Sequence, residues 1–304
     1  MNLQDAYYEQ KFESGFLRAK ADEFQTFFER LMGLAYTADF MACRPWGNQG
    51  DRKNDGFLKS ERRLFQVYAP NEMKATEAKA KITEDFEGAK VHWAIHFDKW
   101  SFVHNAEHGL PPHVQQLLLD FDRANPQIEV RAWGLNELRL IFRKLTIADK
   151  ASWFGPTPTD ATKITLGFQD LQVVLERIGS LPAPAMADVR DVPMGKIEAN
   201  AMTESTASLL KGGMAKSPLV EEFFSRWHDE TLGERLAESF RAEYQRQRMQ
   251  HSPNLIFAEL QSWAGGNIRG TPEHELAVLT VMAYYFERCD IFEEPRSLTG
   301  SDHL

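Results

Sequence analysis

The chain has 304 residues, of which 43% are hydrophobic and 12% aromatic, so it can build sizeable cores and is not globally disordered. That length suggests two domains, or one large one. A net charge of −9 argues against a protein that coats nucleic acid along its whole surface, yet it permits a local basic site, because a Debye length of about 8 Å screens distant acidic surface.

Only two cysteines occur, Cys43 and Cys289, too few for a disulfide framework, and a reducing compartment is expected. The opening Met1-Asn2-Leu3-Gln4-Asp5 has neither a basic nor an apolar leader region. No run reaches the roughly 18 apolar residues of a membrane span. The expectation is a cytoplasmic protein that does not enter the membrane.

In chain order, the first predicted helix covers Ala21 to Leu34, with Phe24, Phe27, Phe28, Leu31 and Met32 as its apolar stripe. Residues 37–43 read as a short strand. A turn-rich loop from Trp46 to Asn54 leads into Asp55-Gly56-Phe57-Leu58. Lys59 to Arg62 form a hairpin turn, and Leu64 to Tyr68 return as a strand. Glu72 to Phe86 is a polar helix. Val91 to Asp98 alternates like a strand, with Trp93, Ile95 and Phe97 on one face. Pro112 to Arg123 is a helix, Ile128 to Trp133 a strand and Leu135 to Leu145 a further helix. The order α-β-β-β-α-β-α-β-α implies an α/β fold, a mixed sheet flanked by helices.

Gly155-Pro156-Thr157-Pro158 breaks the pattern. Ile164 to Ile178 suggests one short helix, and residues 179–206 are poor in bulky side chains. From Ser217 onward the pattern is helical. Ser217-Pro218, Ser252-Pro253 and Thr271-Pro272 mark helix starts, and Leu276 to Phe286 is apolar almost all round, as the centre of a small bundle would be. The expected organisation is an α/β domain over 1–154, a linker with one short helix over 155–216, and an all-α partner-docking domain over 217–304.

One hairpin carries a pattern that suits chemistry. Asp55 stands at the start of its first strand, with Gln66 and Tyr68 on its second. Alternation points residues i and i+2 to the same side, so Gln66 and Tyr68 share a face. Asp55 and Gln66 form a candidate pair of oxygen ligands for a divalent metal. Lys53 and Lys59 are the lysines that can reach in from the loops. Asn54-Asp55-Gly56 also makes a good tight turn, and Gln66 can pair within the sheet, so a purely structural reading stands beside the chemical one. Arg44, Arg52, Lys53, Lys59, Arg62 and Arg63 concentrate positive charge here for phosphate contacts, and Trp46 and Tyr68 offer stacking surfaces.

His92, His96, His104 and His108 do not suggest zinc. Strand neighbours i and i+4 stand about 13 Å apart, and the loop Gly109-Leu110-Pro111-Pro112 follows the last pair.

On Asp55-Gly56, the hairpin and Gln66, residues 20–145 resemble the restriction-endonuclease-like fold, particularly its Mrr-like branch. The resemblance implies a magnesium-dependent site with Asp55 and Gln66 as ligands, Glu29 on the first helix (or Glu23 as the alternative) as the extra acidic ligand of some members, and a catalytic lysine at the position Tyr68 occupies. A tyrosine with a pKa near 10 is no equivalent, and losing such a group typically costs on the order of 10²–10⁴ in rate.

A second resemblance covers residues 217–295. It runs through Glu221-Glu222-Phe223-Phe224, Leu232-Gly233-Glu234-Arg235-Leu236 and Phe240 to Tyr244, and ends in Cys289-Asp290-Ile291-Phe292-Glu293. This pattern is similar to the helical C-terminal domain of the ABC-three-component bacterial conflict systems. It implies an ABC-type ATPase and a middle component as partners, and a role in defence against phage or plasmids. Three functions are therefore expected in competition: a defence component that recognises or cuts DNA, a non-catalytic adaptor, and a stand-alone magnesium nuclease. Self-association is left open.

Overall fold

The computed structural model describes residues 1–43, 53–180, 195–266, 270–288 and 290–294. The chain divides into two compact units, Phe12–Lys150 and the combination of Met1–Lys11 with Ala151–Leu304. Helix α1 (Leu3–Arg18) contributes its first part to one unit and its last part to the other.

The first unit is an α/β structure. In chain order it contains α2 (Ala21–Tyr36), β1 (Phe40–Ala42), β2 (Gly56–Leu58), β3 (Arg63–Tyr68), α3 (Ala75–Trp93), β4 (Lys99–His104), α4 (Pro112–Ala124), β5 (Glu129–Trp133) and α5 (Leu135–Arg143). The five strands form one mixed sheet in the order β1-β2-β3-β4-β5. The first three strands pair antiparallel, whereas β3, β4 and β5 run parallel, linked by crossovers through α3 and α4.

Alternation along β3 divides the two faces. Leu64 points to the side of α3 and α4, where it packs with Ala78, Ile82, Phe86, Trp100, Phe102 and Val114. Phe65 points the other way and meets Phe28 of α2 at 5.2 Å and Trp133 at 4.9 Å. On the α2 side, Phe12 stacks on Phe142 of α5 at 4.3 Å.

The predicted strand over Val91–Asp98 is corrected. Helix α3 continues through Trp93, a turn follows, and the strand begins at Lys99. Val91 and Ile95, which the alternation would place in a sheet, are 77% and 80% exposed. The true strand, Lys99 to His104, is buried on both faces, and such strands lack the polar/apolar alternation that sequence reading relies on. His92 and His96 therefore do not share a strand.

In the second unit, α6 (Ile147–Phe154) leads from the α/β unit into α7 (Asp160–Thr165), α8 (Phe168–Gly179), α9 (Lys196–Ala199) and α10 (Glu204–Met214). Then come α11 (Ser217–Arg226), α12 (Leu232–Arg248), α13 (Pro253–Gly265) and α14 (Pro272–Glu287). Residues 155–216 thus hold more helix than their composition suggests, because Leu171, Val174, Leu175, Leu209 and Leu210 make short stripes buried in the same core as α14. Ser252 and Thr271 stand at the N-caps of α13 and α14, each followed by proline, as the sequence predicts. From Leu276 to Phe286 only Tyr284 escapes full burial, so α14 is the centre of this unit. No helix among the described residues is long and apolar enough to cross a membrane.

Candidate functional site

The β2–β3 hairpin brings Asp55 beside Gln66. The last paired couple of the ladder is Gly56 with Phe65, and Asp55 lies one residue beyond it. Its backbone N–H donates to Phe65 O at 3.0 Å, and its Oδ2 accepts the Val67 N–H at 2.7 Å. Asn54 Oδ1 accepts the Gly56 N–H at 2.9 Å and tightens the entry to the strand. Glycine is required next to Asp55 for a packing reason, since a Cβ at Gly56 would stand 2.7 Å from the Phe40 ring.

Gln66 shares the face of Leu64 and Tyr68. It is buried, and its Oε1 has no hydrogen-bond partner among the described residues. The Tyr68 ring lies 5.9 Å from that of Phe102. Burial, helped by the Glu77 carboxylate, raises the pKa of the phenol, so Tyr68 is neutral at physiological pH.

Lys53 reaches α3. Its Nζ lies 2.6 Å from Glu84 Oε1 and 3.1 Å from Asp85 Oδ1, and its stem lies against Gly88. Burial works against the charge, but the hydrogen bonds to Glu84 and Asp85 prevail and hold the lysine pKa above its ordinary value. Asp85 is fully buried and also takes Lys81 at 2.9 Å. Burial raises its pKa against the pull of both lysines, and its Oδ2 has no partner among the described residues.

The other predicted residues lie apart from this face or are already paired. Glu29 is on α2, which packs on the opposite, Phe65 face, and its carboxylate accepts from Gln25 at 3.1 Å. Glu23 is exposed in the first turn of the same helix. Arg62 pairs with Asp98 at 2.8 Å. Arg63 is buried, bonded to Glu61, Glu129 and Ser101 and placed over the Trp133 ring. Lys59 is exposed at the hairpin turn. Arg44, Trp46 and Arg52 lie outside the described residues.

As a magnesium site, the pair Asp55 and Gln66 offers two hard oxygen donors, one of them buried without a partner, and magnesium commonly keeps several waters beside one or two protein oxygens. Those two residues fit such an ion. Among the described residues no group of three or more His, Cys, Asp or Glu could hold a metal.

One site residue had no role in the sequence argument. His104, the last residue of β4, is 5% exposed, and its Nδ1 accepts the Ala106 N–H at 3.2 Å. Burial lowers its pKa to about 4, against the opposing influence of Glu137. The folded state thus binds this proton less tightly than the unfolded chain, whose imidazole titrates near 6.5. Stability from this group is complete above the unfolded value and declines as pH drops through the interval toward 4. A histidine NMR titration should show the His104 ring unchanged at pH 6, with its midpoint about two units below those of exposed histidines.

At the end of the helical unit, the residues after α14 are built into the core. Ile291 and Phe292 are buried, and Phe292 packs on Tyr244 and Phe286. Asp290 is buried and pairs with Arg241 at 2.8 Å. Lys196, itself 2% exposed, donates to the carbonyls of Phe286 and Ile291 at 2.9 and 2.6 Å. Residues 169–293 match the family model of C-terminal domain 10 of the ABC-three component (ABC-3C) systems. The helical region is similar to that ABC-3C domain over these residues. No curated protein and no solved structure shows significant similarity to the chain.

The match begins within α8, well before the resemblance drawn from residues 217–295, and so takes in α9 and α10. The Asp290-Ile291-Phe292-Glu293 ending lies within the matched residues, and Ile291 and Phe292 pack in the helical core, while Cys289 lies outside the described residues. A domain of this family implies other components of the same system.

Proposed function

We propose that the protein is a component of a bacterial defence system in which the ABC-3C domain couples it to an ABC-type ATPase and a middle component. The α/β unit, which resembles a restriction-endonuclease fold, recognises DNA without cutting it. The observation that carries the non-catalytic reading is the state of the amine and phenol around Asp55. Tyr68 is neutral and packed on Phe102, and Lys53 is held by Glu84 and Asp85. Neither supplies a ready cation or base at the Asp55–Gln66 pair. DNA contact then falls to Lys59 and to the basic residues Arg44 and Arg52 of the sequence before Asp55.

A second reading, a magnesium nuclease, is favoured by the buried Gln66 Oε1 next to Asp55, which has no hydrogen-bond partner among the described residues. Magnesium bound there would supply Lewis-acid activation of a water, with Asp55 and Gln66 as its protein ligands.

A plasmid-nicking assay with magnesium, on wild type and Asp55→Ala, separates the two when combined with DNA binding measured across a salt series. The expected result is no nicking by either protein and binding that weakens steeply with salt. Nicking that disappears in Asp55→Ala would establish the nuclease instead. Absence of both nicking and binding would overturn the DNA reading and leave only docking to the partner complex.

A further inference from the structure

The stem of Lys53 rests against α3 at a place that is open because residue 88 is glycine. A Cβ built on Gly88 would stand 2.6 Å from Lys53 Cγ and 3.6 Å from its Cβ. From that seat the ammonium reaches Glu84 Oε1 at 2.6 Å and Asp85 Oδ1 at 3.1 Å. The Lys53 backbone has a φ of +64°, a left-handed angle that a residue with a Cβ adopts only at a cost. Such a conformation persists where its surroundings over-determine it, and here the seat on α3 and the two carboxylates do so.

This hold is reversible. The Glu84 side chain is 66% exposed, and ion pairs open to water contribute little and weaken with salt. Asp85 is fully buried, and removing its only counter-charge would be costly. Lys81, however, also reaches Asp85 Oδ1, at 2.9 Å. Lys53 can therefore leave without stranding a buried carboxylate, and its departure lets the left-handed backbone relax.

A phosphodiester suits the part of competitor. Its oxygens accept from an ammonium as a carboxylate does, and a duplex presents them densely, with counterions to release. Lys53 precedes Asp55 by two residues, on the stretch of chain that enters the hairpin.

We infer that Glu84 and Asp85 hold Lys53 as stand-ins for a DNA phosphate, and that Lys53 passes to the phosphate when duplex DNA binds. Lys81 then remains on Asp85. The inference rests on the DNA-recognition reading and adds to it a contact that the protein conceals until DNA arrives.

The test measures binding of a short fluorescent DNA duplex to the full chain across a salt series. Lys53→Met should make the slope of log K against log salt shallower by about 0.9, the share of one phosphate contact. Lys90, which pairs with Glu87 at 2.8 Å, is the control. Lys90→Met removes the same charge from the neighbourhood of the same helix and should leave the slope as it is. Gly88→Ala alters no charge, yet its methyl would unseat the Lys53 stem. Binding should then tighten by about threefold, the weight of one exposed ion pair. Adding Lys53→Met to Gly88→Ala should abolish that gain. Should Gly88→Ala fail to fold, Glu84→Gln should give the same gain with the same dependence on Lys53. An unchanged slope in Lys53→Met, an equal change in Lys90→Met, no gain on unseating, or a gain that survives the loss of Lys53 would each overturn the inference while leaving DNA recognition in place. Absence of salt-sensitive binding by the wild type would overturn both.

Discussion

Gly213→Ala is expected to lower the stability of the helical unit by about 2 kcal/mol, although alanine is the better helix former. In an open helix interior the exchange would gain about 1 kcal/mol. Gly213, however, lies where α10 packs on α14. A Cβ there would stand 2.6 Å from the Leu279 carbonyl oxygen and 2.8 Å from the Ala283 Cβ. The first obstacle is backbone of the central buried helix, which cannot turn aside as a side chain would, and overpacking of this kind costs about 1–3 kcal/mol. The neighbouring Gly212 is the control. Its added Cβ would meet only the tip of Leu3, a flexible side chain, so Gly212→Ala should cost clearly less. Urea midpoints of the two variants measure the difference, and a Gly213→Ala midpoint at or above wild type would contradict the close approach of these helices.

Lys196→Met should be at least as damaging, by about 3 kcal/mol, despite keeping most of the stem. The ammonium donates to Phe286 O at 2.9 Å and Ile291 O at 2.6 Å and lies 4.5 Å from the Phe286 ring centroid. The Phe286 carbonyl is in the last turn of α14, where the helix leaves its own acceptors unsatisfied. Hydrogen bonds from a charged donor contribute about 1.5–3 kcal/mol each, and methionine would remove both, leaving Phe286 O only the Arg288 cap N–H. Asn200 makes its own pair of hydrogen bonds with the Glu293 backbone, at 2.8 and 3.0 Å, so the chain end would loosen first between Phe286 and Ile291. Amide hydrogen exchange should show lost protection over residues 290–292 before the rest of the domain changes. Equal protection in the variant would show that the lysine is not what fastens this segment.

Where periodicity reports burial on one face, sequence reading placed the elements well. Helix α2, the β2–β3 hairpin, α4, β5 and the four helices from Ser217 all follow from apolar spacing and from Ser-Pro or Thr-Pro starts. Besides the helices within residues 155–216 noted above, two kinds of element escaped it. Strand β4 is buried on both sides, while the end of α3 happens to alternate, so the strand was assigned to the wrong stretch. Helix α1 carries Ala6, Tyr7, Phe12 and Phe16 fully buried among polar residues and was not recognised at all. At the hairpin, the proximity of Asp55 and Gln66 was legible because turn geometry and strand alternation determine it.

The buried polar residues were harder to see. Asp85 occupies the same helical stripe as Ala78, Ile82 and Ala89, a spacing that could have marked it as inward-facing. His104 and Lys196 have no such signal, since each is defined by partners or open space that the tertiary structure supplies.

The assignment of Met1–Lys11 to the same unit as Ala151–Leu304 bears on how the protein is made. Tyr7 reaches the Glu275 carbonyl at 2.9 Å across a separation of 268 residues, and Gln261 donates to the same hydroxyl. During synthesis residues 1–11 must therefore wait, with Tyr7 unsatisfied, until Gln261 and Glu275 have left the ribosome. The α/β unit, which is continuous in sequence, can fold in that interval. A fragment starting at Ala151 would lack the piece that closes its core, whereas one that carries the first eleven residues through a short bridge would restore it.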